Sequence, residues 1–322
     1  MGLLYWLAGL RTAGGEAFFM AVTYLGDEVA ALALMLVVFW CMDKRMGYFM
    51  IYSTVFGLLC NQFLKSLFEI PRPWLRDPGF TAVEAAKATA GGYSFPSGHT
   101  ATATAVYGSM ARYQKGTAFR AVCFLLIGVV AFSRMYLGVH TPADVGVSLL
   151  VGTALVFLLY PLILRCGESR DADAAGRRSF LCLQGAFAAC VLGLFVYLNG
   201  KGLPADPALS EEELAHGAAA ALKNAWQILG MGLGVLVSHA WDYFGKSFET
   251  KAVWWAQILK VVLGLLLVVL VKAGLKAPLN LLLGGHPAAT AIRYFLVVVT
   301  AGLLWPLSFT FWGKLGTQRA KV

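Results

Sequence analysis

The chain has 322 residues, 59% hydrophobic and 13% charged, with a mean hydropathy of +0.69 and a net charge of +9. Soluble domains carry about 25% charged residues, so this composition excludes an ordinary soluble globular protein and points to an integral membrane one. The excess of Lys and Arg does not indicate nucleic acid, because it is clustered at the ends of apolar stretches, as the positive-inside bias requires.

A helix needs about 20 apolar residues to cross the hydrocarbon core. In chain order the pattern predicts nine such helices, over 17–41, 47–68, 97–112, 119–137, 142–164, 180–198, 223–241, 252–274 and 291–313. Strands of a membrane barrel alternate apolar and polar residues, whereas Ile258 to Val271 is apolar on every side except at Lys260. The expected fold is therefore all-α, a polytopic membrane helical bundle. The first span is interrupted at Gly26-Asp27-Glu28, where Asp27 reads as the N-cap of a restarted helix.

If nine spans alternate, one side collects Lys44 and Arg45, then Arg112, Lys115 and Arg120, then Arg165, Arg170, Arg177 and Arg178, then Lys246, Lys251, Lys314, Arg319 and Lys321. That side is expected to be cytoplasmic, with the N-terminus outside and the C-terminus inside. Two outer loops are long. Residues 74–95 include a stretch, Ala82 to Ala90, able to form a short helix. Residues 199–222 carry Glu211, Glu212 and Glu213 at a solvated helix start. The charged loop 165–179 separates an expected catalytic core, 1–164, from accessory helices, 180–322. The N-terminus has no basic n-region or cleavage site, so no removable signal peptide is expected. The six cysteines show no metal-ligand spacing.

Three short blocks concentrate the chemistry at span ends. Ser97, Gly98 and His99 open an apolar helix, where unpaired N–H groups suit an anion. Gly98 allows close backbone approach, and Ser97 adds a hydroxyl. Arg134 precedes His140 by six residues. Asp144 follows His140 by four, close enough to reach back one turn and fix its tautomer. Pro142 fits the first turn of the helix carrying Asp144. Lys65 ends one span, and Arg72 follows beyond Pro71. Charged groups at membrane depth are costly and mostly functional.

Together the blocks resemble the type 2 phosphatidic acid phosphatase superfamily. Its three motifs are matched by KSLFEIPRP (Lys65 to Pro73), PSGH (Pro96 to His99) and SRMYLGVHTPAD (Ser133 to Asp144), with all spacings kept. The resemblance covers residues 17–164. The extra spans beyond it depart from the common six-helix members and are similar to those of the larger sphingosine-phosphate phosphatases. The resemblance implies His140 as nucleophile, Asp144 as its orienting carboxylate and His99 as acid and then base. It implies Lys65, Arg72, Ser97, Gly98 and Arg134 as phosphate ligands. No metal or cofactor is expected, since three cations and a helix N-terminus can stabilise a transferring phosphoryl group.

The expected activity is a membrane lipid phosphatase with its site on the extracytoplasmic side of the cell membrane. Candidate substrates are phosphatidic acid, phosphatidylglycerol phosphate, a sphingoid-base phosphate and undecaprenyl diphosphate. A lipid phosphotransferase using the same phosphohistidine, and a catalytically silent lipid-binding or transport protein, are the alternatives. The related haloperoxidases are soluble, so the spans argue against them. The expected partners are the membrane and a lipid phosphate, with a homo-oligomer left open and nucleic acid excluded. Outside the blocks, His239 with Asp242 reads as interfacial, His216 as solvated, and His286 as an outer residue near Arg293.

Overall fold

The computed structural model describes residues 1–166, 173–201, 211–245 and 248–315; within 211–217 only the Ala215 side chain is described. Among these residues there is no strand, and each of the nine predicted stretches is helical. The elements are α1 (Gly2–Gly9), α2 (Ala13–Thr23), α3 (Glu28–Val37), α4 (Lys44–Phe68), α5 (Pro73–Arg76), α6 (Glu84–Lys87), α7 (Gly98–Tyr113) and α8 (Thr117–Tyr136). They continue with α9 (Pro142–Cys166), α10 (Ala174–Gly200), α11 (Glu211–Phe244), α12 (Trp254–Gly274), α13 (Lys276–Leu282), α14 (Ala288–Val299) and α15 (Phe309–Lys314).

Among the described residues, six helices are long and apolar enough to cross a bilayer: α8, α9, α10, Ala218–Phe244 of α11, Trp254–Leu282 and Ala288–Lys314. The pair Ala13–Gly26 and Glu28–Met42, bent by 50°, makes a seventh if taken as one span. The protein is a multi-pass membrane protein. The other two predicted spans, α4 and α7, are helical but fall short of that length or apolarity. α7 has only 16 residues, and α4 carries Ser53, Asn61, Gln62, Lys65 and Ser66. Ser53, Asn61, Gln62 and Ser66 are buried, as are Thr100, Thr104 and Ser109 of α7. Polar groups at membrane depth turn to the protein interior, which leaves both helices weak in hydropathy.

The bend in the first span is well defined. Asp27 Oδ1 accepts from Val29 N at 2.8 Å, the cap expected of it. A Cβ on Gly26 would lie 2.8 Å from the His99 carbonyl oxygen and 2.6 Å from Val130 Cγ1. Only glycine lets the bend pack this closely against the first turn of α7. The short helix expected in Ala82 to Ala90 is α6.

The chain forms two compact units, each assembled from separated segments. The first comprises Met1–Leu32, Met50–Tyr160 and Leu198–Leu222, and the second Ala33–Phe49, Pro161–Tyr197 and Lys223–Val322. All three motif blocks lie in the first. Within the second, Phe180 stacks on Tyr243 at 3.8 Å, and Trp40 Nε1 donates to the Ala301 carbonyl at 2.9 Å. Lys44 pairs with Asp242 at 3.2 Å. Lys260 is fully buried, and its ammonium donates to the Thr250 carbonyl at 2.9 Å over the Phe309 ring at 4.4 Å. These partners replace the water that a lysine at membrane depth loses.

His239, read as interfacial, is covered by protein. It is buried, its ring lies 4.1 Å from that of Tyr48, and Gln184 of α10 sits 3.2 Å from its Nδ1. A neighbouring helix therefore covers it, which end-of-span position alone does not reveal. His286 is exposed, and its Nδ1 accepts from Ala288 N at 3.2 Å at the start of α14. The readings for the His216, Glu211, Glu212 and Glu213 side chains lie outside the described residues. So do Arg170, Lys246, Arg319 and Lys321, and 167–172 of the charged loop.

Candidate active site

The third block owes its spacing to two helix caps placed back to back. α8 ends at Tyr136, and Gly138 follows with φ of +77°. Gly138 N donates to the Met135 carbonyl at 3.0 Å, and Val139 N to the Arg134 carbonyl at 3.1 Å. This pair of bonds is a Schellman C-cap, for which a left-handed glycine is the favoured residue. It folds the chain back so that His140 N also reaches the Arg134 carbonyl, at 3.2 Å. The next helix opens at once. Thr141 N donates to Asp144 Oδ2 at 2.8 Å, and Asp144 N to Thr141 Oγ1 at 3.3 Å. That reciprocal exchange is a capping box. The same carboxylate oxygen lies 3.3 Å from His140 Nδ1 and accepts from Ser94 Oγ at 2.6 Å. His140 and Asp144 are both buried.

The second block is laced to the third. Ser97 caps α7, accepting from Thr100 N at 3.5 Å and Thr100 Oγ1 at 3.0 Å. Ser97 N donates to the Asp144 carbonyl at 3.1 Å. Ser148 Oγ bridges the carbonyls of Ser97 and Asp144, at 2.8 and 2.9 Å. The first-turn N–H groups of Gly98 and His99 have no intrahelical acceptor, as at any helix start. From α4, Asn61 holds the Pro96 carbonyl at 3.2 Å.

The three cations have different surroundings. Arg72 Nε donates to the Gly92 carbonyl at 2.9 Å and Nη2 to the Gly91 carbonyl at 2.7 Å. Arg72 Nη1 reaches the Val139 carbonyl at 3.1 Å and His140 Nε2 at 3.0 Å. Lys65 donates to the Tyr93 carbonyl. Thus Lys65 and Arg72 gather the backbone of 91–93 around the histidine. Arg134 differs. Its Nη1 donates to Thr23 Oγ1 at 2.7 Å and, at 3.4 Å, to Thr89 Oγ1. Its Nε and Nη2 are buried and have no hydrogen-bond partner among the described residues.

This geometry fixes the chemistry available. A guanidinium has only donors, so Arg72 can approach His140 Nε2 only if that nitrogen carries a lone pair. The ring proton is then on Nδ1, facing Asp144. Burial first, and then the charge of Arg72 with those of Arg134 and Lys65, hold the His140 pKa well below the usual 6.5, against the pull of Asp144. Burial also lowers Arg72, to about 10, which leaves it a cation at neutral pH. The result is a neutral imidazole with an oriented lone pair among fixed positive charge. All eight residues singled out by the sequence lie within the first unit, and Lys65, Arg72, Ser97, Arg134, His140 and Asp144 are joined through the bonds above. His99 stands in the first turn of α7, its ring with no hydrogen bond among the described residues.

The model for the PAP2 superfamily matches residues 47–168, and the model for the PAP2 superfamily phosphatase transmembrane extension matches residues 226–318. The chain belongs to the PAP2 superfamily. Human sphingosine-1-phosphate phosphatase 2 is 29% identical over 143 residues, covering 42% of this chain and 35% of that protein. The Mus musculus counterpart is 28% identical over 147 residues, covering 42% and 39%. The matched stretch thus spans well under half the length of either relative. The crystal structure of Aquifex aeolicus LpxE shares 25% identity, covers 49% of this chain and 92% of that one, and has a TM-score of 0.44.

Several residues that shape this PAP2 site escaped sequence reading. Ser94 and Thr141 both bond to the Asp144 carboxylate. Arg11 donates from Nε to the Tyr136 carbonyl at 2.9 Å and from Nη1 to the Thr81 carbonyl at 2.7 Å, bracing the turn before His140. Glu69 adopts a left-handed conformation at the end of α4, φ of 49°. It pairs with Lys201 at 2.9 Å, whose ammonium also meets the Ser66 carbonyl. The one signal available was the T-x-x-D box of Thr141 and Asp144. Lone serines, threonines and arginines elsewhere carried none.

Proposed function

We propose that the protein is a membrane phosphatase that removes phosphate from a lipid phosphate or diphosphate through a phosphohistidine on His140, at a site facing the extracytoplasmic side. The observation that carries this reading is the lone pair of His140 Nε2, oriented by Asp144, in the same buried cluster as the unpartnered Nε and Nη2 of Arg134. A nucleophile and a vacant bidentate donor are what an in-line attack on phosphorus needs.

His140 Nε2 forms the bond to phosphorus as the bond to the leaving oxygen breaks. His99, which takes up a proton as the anionic substrate offsets the surrounding cations, gives that proton to the leaving oxygen. His99 then takes a proton from water, the hydroxyl attacks the phosphohistidine, and His140 departs with its lone pair restored. Arg134, Arg72, Lys65, Ser97 and the Gly98 N–H stabilise charge on the phosphoryl oxygens, the main requirement of this chemistry. The relatives are named for a lipid monophosphate, which supports that substrate class. The basic clusters support the outward orientation of the site. Since the cations supply the positive charge, the reaction is metal-independent.

Purified protein in detergent should release inorganic phosphate from at least one of phosphatidic acid, phosphatidylglycerol phosphate, sphingosine 1-phosphate or undecaprenyl diphosphate, undiminished by excess EDTA. His140→Ala should release none and form no acid-labile phosphoenzyme. Activity lost in EDTA and restored by magnesium, or a His140→Ala protein of near-normal rate, would overturn the mechanism.

A further inference from the structure

We propose that Thr23, in the last turn of α2 and outside all three blocks, is a positioning residue that sets which edge of Arg134 meets the phosphate. The inference rests on the phosphatase reading above and extends it to a residue 111 positions away in sequence.

Thr23 is completely buried. Its Oγ1 accepts from Arg134 Nη1 at 2.7 Å, the shorter of the two bonds that this nitrogen makes. A planar guanidinium presents two useful forks, one using both Nη groups and one using Nε with Nη2. Tying Nη1 to Thr23 removes the first fork and leaves the second. Nε and Nη2 are the two nitrogens without a partner. They offer parallel N–H groups spaced for two oxygens of one phosphoryl group. Leaving buried donors unpaired is costly, so an arrangement that isolates this edge fits a site whose missing acceptor is the substrate.

Thr23 is itself held in place. The helix ends there, the 3-10 turn Tyr24–Gly26 follows, and Gly26 packs against the His99 carbonyl and Val130. The bend therefore registers Thr23 against the first turn of α7 and against α8, which bear His99 and Arg134. The break in the first span thus supplies an acceptor to the phosphate grip. Thr89, at 3.4 Å, assists from the loop after α6.

The test compares Thr23→Val, which keeps the shape and removes the acceptor, with Thr23→Ser, which keeps it, and with Thr23→Ala as a second acceptor-free variant. Readouts are kcat and KM on the best lipid phosphate of the panel, orthovanadate binding by calorimetry, and thermal unfolding in detergent. A misaligned grip acts in the transition state. We expect kcat to fall about tenfold in Thr23→Val or Thr23→Ala, with vanadate affinity reduced, KM little changed, and Thr23→Ser recovering most of the loss. On an Arg134→Lys background, which has no fork to orient, Thr23→Val should add almost nothing.

Folded Thr23→Val or Thr23→Ala with wild-type kcat and vanadate affinity overturns the assignment while leaving the phosphatase reading intact. So does a full tenfold effect persisting on Arg134→Lys, or a Thr23→Ser as impaired as Thr23→Ala. A wild-type protein that neither binds vanadate nor hydrolyses any lipid phosphate overturns the phosphatase reading and this assignment with it.

Discussion

His140 keeps its proton on Nδ1 because Arg72 approaches Nε2 with donors only, and it stays neutral because burial and three cations oppose a further charge. The pKa is lowered from 6.5, so the neutral imidazole persists on the acid side of that value. The acid limb of kcat/KM, which reports the free enzyme, should therefore have its midpoint below pH 6.5; a midpoint above 7 would contradict the site electrostatics. The sign for stability follows. Below pH 6.5 an unfolded His140 binds a proton that the native one refuses, so this group costs stability progressively as pH falls. The arginines make a second test. Arg134 offers a free fork, while Arg72 spends its donors on three carbonyls and on His140. Arg134→Lys and Arg72→Lys should each lose about 10²–10³ in kcat, although charge is kept. Arg76→Lys, at an exposed position, should be near wild type; equal damage there would misplace the grip. What was legible at this scale were the residues whose chemistry is conspicuous at a span end: Lys65, His99, Arg134, His140 and Asp144. Thr23 and Ser94 were not. A lone hydroxyl in a membrane helix or loop looks the same whether it supports a catalytic group or only its own backbone.

At the scale of elements, the spacing of the third block reduces to one C-cap, one residue of link and one N-cap. The five residues between Arg134 and His140 are the end of α8 and its Schellman turn. The three between His140 and Asp144 are the capping box that opens α9. Gly138 is the hinge of this arrangement. A side chain there would occupy the left-handed region at about 1–2 kcal/mol and would also meet Phe80 Cζ at 2.9 Å and the Arg11 guanidinium. Gly138→Ala should lower the unfolding temperature in detergent and lose most activity. Gly128→Ala in α8, where a Cβ meets nothing within 4 Å, should do neither. If the two variants unfold alike, the turn does not constrain His140 as described. Apolar length made all nine helical stretches readable. Two of them, α4 and α7, fall short of the length or apolarity of the other spans, because hydropathy does not distinguish polar residues facing protein from those facing lipid.

For the molecule as a whole, the basic clusters motivate an outward site. Single cysteines in a cysteine-free background test it. Ala88, exposed beside α6, should as cysteine react with an impermeant maleimide in intact cells, and Ala174, exposed at the start of α10, should not; the reverse pattern would turn the site to the cytoplasm. The proposed division near residue 164 is one of chemistry, because every motif precedes it. Compactness runs differently, since each unit is built from three separate segments. Trp40 and Lys44, upstream of the first block, take their partners from Ala301 and Asp242, while Leu198–Leu222 belongs with the motif-bearing unit. Genetic dissection inherits this interleaving. A fragment cut after the last motif would strand an indole N–H and an ammonium and remove part of the first unit, so its inactivity would report misassembly rather than a catalytic duty of the second half. Complementation by the two halves expressed together, and substitutions made one at a time, are the designs that can assign work to the later helices.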